Sequence, residues 1–256
     1  MNLYPIIFLS VVFFGALFLI FRKRKIDPIS LTKADLSLFD EHVEFYRNLN
    51  PAKKKQFIKK VGVFLASIKI EGVGLEVTAL DRVLIAASAI IPIFGFDEWS
   101  YQNLGSVVLY PDTFNKDFQF EDSERNIMGM VGNGFMNGQM ILSRTALHHG
   151  FSKSAGKGNT AIHEFVHLID DADGAIDGIP EQLLAHEYTF PWLKMMHEEM
   201  ERIQKNKSDI NPYALTNQAE FFAVASEYFF EQPDSLKDKH PELYEQLSMI
   251  FGQDLA

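Results

Sequence analysis

One segment constrains this chain more than any other: Asn159-Thr160-Ala161-Ile162-His163-Glu164-Phe165-Val166-His167-Leu168-Ile169-Asp170. It sets ionisable side chains into an otherwise apolar run. Asn159 or Thr160 can cap a helix there, which puts His163 and His167 at positions i and i+4 with both imidazoles on one face. Ala161, Ile162, Phe165, Leu168 and Ile169 can pack that helix into a core and fix the ring positions.

Two histidines one turn apart suit a tetrahedral zinc ion, which takes nitrogen ligands at about 2.0 to 2.1 Å. The chain has no cysteine, so thiolate sites, disulfides and cysteine nucleophiles are excluded, and a metal must be held by His, Asp or Glu. Glu164 follows the first histidine directly, where a carboxylate can reach a zinc-bound water without occupying a metal position. It is the candidate general base. A catalytic zinc of this kind takes a third protein ligand, and Asp170, Asp173, Glu220 and Glu227 are the candidates. Asp170 is better placed to orient a histidine than to bind the metal. The metzincin pattern requires a glycine and a third histidine where this chain has Asp170 and Asp173, so that subfamily is excluded. His148-His149 and His186-Glu187 read as surface groups.

The first 21 residues carry no charged side chain, and Leu3 to Phe21 would rise roughly 28 Å as a helix, enough for a bilayer core. Arg22-Lys23-Arg24-Lys25 follows and no basic residue precedes, a polarity that predicts a single-pass anchor with the rest of the chain on the cytoplasmic face of an inner or plasma membrane. The net charge of −10 hides an asymmetry, because residues 26–256 hold 20 basic against 34 acidic side chains, a net −14. An acidic body argues against nucleic acid as a partner.

Residues 26–32 read as a linker. Apolar spacings of three and four predict helices over residues 33–48 and 51–70, and residues 77–91 give a third, opened by Thr78. Gly105 to Tyr110 and Gly138 to Ser143 read as strands, with the Gly-rich stretch Gly129 to Gly138 before the second. Further helices are expected over residues 160–171, 180–205, 217–231 and 241–251. The domain reading is an anchor and basic collar over 1–25, then a peptidase domain over 26–256, divided into a helical part (26–105) and a catalytic part (106–256).

His163-Glu164-Phe165-Val166-His167-Leu168-Ile169-Asp170, with Asn211-Pro212-Tyr213-Ala214 and the apolar helix Ala219 to Phe230, resembles the Mlc titration factor A zinc peptidases, gluzincins similar in catalytic core to the anthrax lethal factor protease. The resemblance covers most of residues 60–251. It implies a mainly helical α+β peptidase domain with a small sheet, here preceded by the expected transmembrane helix. It also implies Zn2+ held by His163, His167 and Glu220, with Glu164 as base, Tyr213 as a hydrogen-bond donor to the oxyanion, and Glu227 behind the ligands. Gly138 to Ser143 would be the sheet edge that pairs with an extended peptide. The resulting expectation is a membrane-anchored zinc metallopeptidase acting on a peptide or protein substrate. The alternative is a membrane-tethered binding protein that sequesters a transcriptional regulator, with zinc structural or vestigial.

Overall fold

The computed structural model describes residues 26–115, 127–132, 138–184 and 186–256. Thr32 caps helix α1 (Lys33–His42) through a capping box with Asp35. Val43 then adopts an extended conformation and breaks the expected single helix into α1 and α2 (Glu44–Asn48). Asn50 caps α3 (Pro51–Ser67), with proline at the first turn where its missing N–H costs nothing. Thr78 caps α4 (Ala79–Ile93), again with a reciprocal partner, Asp81. The later helices are α5 (Arg144–Gly150), α6 (Thr160–Asp170), α7 (His186–Gln204), α8 (Gln218–Glu231), α9 (Pro233–Lys239) and α10 (Pro241–Phe251).

Four strands form one sheet: β1 (Lys69–Gly72), β2 (Ser106–Tyr110), β3 (Gly129–Val131) and β4 (Gln139–Ser143), in the order β1-β2-β4-β3. β1, β2 and β4 run parallel, with Ile70 opposite Val107 and Val107 opposite Met140. β3 runs antiparallel to β4, Met130 facing Ile141. Alternation divides the two faces. Ile70, Val107, Leu109, Met140 and Leu142 join the main core, whereas Tyr110, Ile141 and nearby Phe114 form a smaller cluster.

This topology corrects one expectation. Residues 139–143 are not an edge, because β4 lies between β2 and β3; the outer strand is β3, inside the stretch read as a glycine-rich loop. A second correction concerns the fold class. No helix among the described residues is long and apolar enough to cross a membrane, and the transmembrane helix expected over residues 3–21 lies outside the described residues. The architecture that stands is a mainly helical α+β domain with a small sheet.

Helix α6 sits at the centre, packed by α4, α5, α8 and β3. Ala161, Ile162, Phe165 and Val166 are fully buried, and Phe165 meets Phe64 and Tyr101 edge-on or tilted. The helix therefore has little room to shift, and the polar groups it carries are held in place by the core around it.

Candidate metal centre

Asn159 starts α6: its backbone is extended and its Oδ1 accepts from Ile162 N. One turn in, His163 and His167 stand with ring centroids 4.7 Å apart and Nε2 atoms 3.1 Å apart. Glu220, in the first turn of α8, brings Oε2 to 2.9 Å from His163 Nε2 and 3.4 Å from His167 Nε2. Asn217 caps that helix, accepting from Glu220 N at 2.9 Å and so fixing the turn from which the carboxylate projects. These three residues offer one convergent donor atom each and could hold a metal ion.

The chemistry of the donors tests the fit. His163 Nδ1 lies 2.7 Å from Glu227 Oε1, so Nδ1 carries a proton and donates, and with the ring neutral Nε2 would offer its lone pair to a metal. That lone pair points at a carboxylate oxygen and at a second imidazole nitrogen. Three such atoms need a cation between them. A tetrahedron with ligands about 2.05 Å from its centre has edges of about 3.3 Å, close to the 2.9, 3.1 and 3.4 Å found. Without an ion the same place draws a proton: burial alone would depress His163, yet the carboxylates of Glu220 and Glu227 outweigh it and push its pKa up to about 10. Burial likewise opposes ionisation of Glu220, and contacts with the two histidines overcome it and hold that carboxyl well below the usual range.

Glu164 is buried beside this cluster, and burial raises its pKa against the pull of His163 and His167. Its side chain lies against β3. A Cβ built on Gly129 would stand 2.6 Å from Glu164 Cγ and 2.7 Å from Oε1, so no larger residue fits there without displacing the carboxylate. Asp170 is fully buried; Oδ2 accepts from Gly178 N at 2.8 Å, and burial pushes its pKa up to about 7. Asp170 Oδ1 and His167 Nδ1 are both buried and without a hydrogen-bond partner. Asp173 accepts instead from Ala175 N in the turn that follows. Tyr213, on the short 3-10 turn Pro212–Leu215, is half-exposed, its ring 6.1 Å from His163. Burial and then the charges of Glu220 and Glu164 raise its phenol. His148 lies elsewhere, 2.7 Å from Asp81.

The structure thus gathers His163, Glu164, His167, Glu220, Glu227 and Tyr213 at one place. It leaves Asp173 outside. Two contributors were not read from the sequence as site residues: Gly129, whose signal was only its glycine-rich context, and Glu231, which receives a 2.8 Å hydrogen bond from Asn159 Nδ2.

A buried helix presenting two histidines and a glutamate beside them, met by a glutamate from a second helix, defines a metallopeptidase-like domain. The chain belongs to the glucose-regulated metallo-peptidase M90 family, whose model matches residues 19–252. Its relatives include the uncharacterized protein slr2042 of Synechocystis sp., 27% identical over 228 residues, covering 84% of this chain and 82% of that protein. Mlc titration factor A of Klebsiella pneumoniae is 27% identical over 225 residues, covering 81% and 82%. The protein of the same name from Cronobacter sakazakii is 31% identical over 198 residues, or 71% of each chain. These matches bear out the resemblance read from the sequence.

Proposed function

We propose that this protein is a zinc-dependent peptidase in which His163, His167 and Glu220 hold the ion. The observation that carries this reading is the convergence of the three donor atoms at spacings of 2.9 to 3.4 Å, with Glu164 buried alongside. When bound, zinc would supply a Lewis acid that polarises the scissile carbonyl and makes water acidic enough to attack near neutral pH. Zinc suits a set of two imidazoles and one carboxylate.

The protein groups have separate tasks. Glu164 takes the proton of the attacking water on its carboxylate and delivers it to the departing amine. Its raised pKa suits a group that must both accept and release a proton. Glu227 accepts from His163 Nδ1, which fixes the tautomer and leaves the Nε2 lone pair free for the ion. Tyr213, exposed at the rim, can donate its phenol O–H to the developing oxyanion. The outer strand β3, which carries Gly129 against Glu164, is the place where an extended peptide would pair through its backbone.

The test is purified full-length protein with its metal content and peptide cleavage measured together. One zinc per chain is expected, and Glu164→Gln should cut cleavage by at least about 100-fold while keeping the metal. Cleavage that survives the substitution would remove Glu164 from the mechanism.

The name of the relatives favours a second reading, capture of a regulator protein, as titration of Mlc is what it describes. Here the partner would co-purify with the Glu164→Gln protein as well as with the wild type. Loss of capture with the substitution would count against it.

A further inference from the structure

A cavity of about 1050 Å³ opens beside the start of α6, and none of His163, Glu164, His167 or Glu220 lines it. Its walls include Glu44 and Arg47 of α2, Gly150 at the end of α5, Glu231 at the end of α8, and Gln253 and Asp254 near the C-terminus. A space of this size is large enough for a small organic molecule.

The group that gives the cavity its chemistry is Glu231. Its Oε1 accepts from Asn159 Nδ2 at 2.8 Å. Among the described residues no ion pair joins it to a cation: burial pushes its pKa up to about 7, the carboxylates of Glu227 and Glu44 add to the rise, and the hydrogen bond from Asn159 works against it. Arg47 of α2, on the same wall, is already engaged. Its Nη1 donates to the carbonyls of Glu41 at 2.9 Å and Asp40 at 3.4 Å, and its Nη2 sits 3.7 Å from Glu44. Lys53 and Lys153, also on the wall, are exposed. A partly buried carboxyl with no ion-pair partner ionises at a cost, and a cation brought by a ligand removes that cost.

Glu231 is also tied to the metal centre. Asn159 is almost fully buried and uses both ends of its side chain: Nδ2 on Glu231, Oδ1 on Ile162 N as the cap of α6. Its backbone N–H donates to Glu227 Oε2, and Glu227 Oε1 accepts from His163 Nδ1 at 2.7 Å. Three hydrogen-bonded steps therefore join the cavity wall to a histidine of the metal cluster.

We propose that this cavity binds a small organic cation, an alkylammonium or guanidinium whose charge pairs with Glu231, and that its occupancy is felt at the metal centre through Asn159 and Glu227. An ionised Glu231 accepts from Asn159 more strongly than a neutral one. Occupancy thus firms the hold of Asn159 on Glu227, and of Glu227 on His163. By reciprocity the metal-loaded protein binds the cation more tightly. The binding step stands apart from the peptidase reading; the coupling rests on His163 being a metal ligand.

Agmatine, which carries both an ammonium and a guanidinium, is a suitable probe, with 1,4-butanediol as the uncharged control. Titration calorimetry on the zinc-loaded full chain should give saturable agmatine binding in about the millimolar range or tighter. Glu231→Gln keeps an acceptor for Asn159 and removes the charge, so it should weaken binding at least tenfold at an unchanged melting temperature. No saturable binding to wild type, equal binding to Glu231→Gln, or equal binding of the diol would each overturn the site. Competition with a chelator should show zinc held several-fold tighter with agmatine in the wild type and not in Glu231→Gln. Zinc affinity indifferent to bound agmatine would overturn the coupling. Calorimetry reads no cleavage, so a protein that fails as a peptidase can still pass or fail as a cation binder.

Discussion

Glu164 and Glu227 both lie beside His163, and their surroundings give them different work. Glu164 is buried against β3 with a raised pKa, a setting for proton transfer. Glu227 uses its two oxygens on two donors, His163 Nδ1 and the backbone N–H of Asn159. An amide has only one acceptor oxygen. Glu227→Gln should therefore lose one of the two contacts and weaken zinc binding by roughly 10- to 100-fold, measured by chelator competition. Unchanged affinity would show that Glu227 does not steady His163. Gly129→Ala should act on the other carboxylate, because the new Cβ meets Glu164 within 3 Å. A drop in kcat/KM on the order of 10- to 100-fold, with zinc content intact, is expected from so small a misplacement. Full activity would mean that the strand yields instead. Residue types and spacing made His163, Glu164 and His167 legible from the chain alone. They could not divide Glu220 from Glu227, which lie seven apart on one helix face; only the approach of α8 to α6 puts Glu220 on both Nε2 atoms and Glu227 on Nδ1.

At the level of elements, the long capped helices were legible because cap, apolar spacing and length agree, as in α4 with Thr78 and α10 with its first-turn proline. The short elements were not. β1 and β3 have four and three residues, too few for alternation to show, and α5 and α9 have seven each. The junction of α9 and α10 carries a buried histidine that no periodicity marks. His240 Nε2 lies 2.8 Å from Asp209 Oδ1, and its Nδ1 is 3.1 Å from Glu199 Oε1. Burial opposes its charge, but the two carboxylates outweigh burial and raise its pKa above the ordinary 6.5. A raised pKa means that the folded state binds the proton more tightly than the unfolded state. The stabilisation is then complete below about pH 6.5 and disappears as pH rises through the folded value. The melting temperature of wild type should exceed that of His240→Gln most in mild acid, with the gap narrowing in alkali. A gap that widens with pH would show that the imidazolium is not what holds Asp209 and Glu199 together.

For the whole molecule, the sheet order was beyond the sequence because β4 pairs with β2, and β3, which precedes β4 in the chain, lies outside it. What the assembled core does determine is how the protein should behave if the proposed metal is stripped from it. One continuous apolar cluster runs from Phe39 of α1 through Phe165 and Val166 of α6 and Phe221 and Phe222 of α8 to Phe251 of α10. None of His163, His167 and Glu220 belongs to it. In the stripped protein a proton on His163 serves as the cation among the carboxylates, which is what its pKa of about 10 expresses. The fold should therefore survive chelation. Zinc at a hundredfold excess over its Kd adds ~2.7 kcal/mol, and each kcal/mol moves Tm by about 2–4 °C in a chain of this size. Chelation should lower Tm by roughly 5–10 °C and leave the far-ultraviolet circular dichroism of the helices unchanged at room temperature. Collapse of that helical signal on chelation would make the ion a structural element of the fold, and would favour the binding-protein reading over the peptidase.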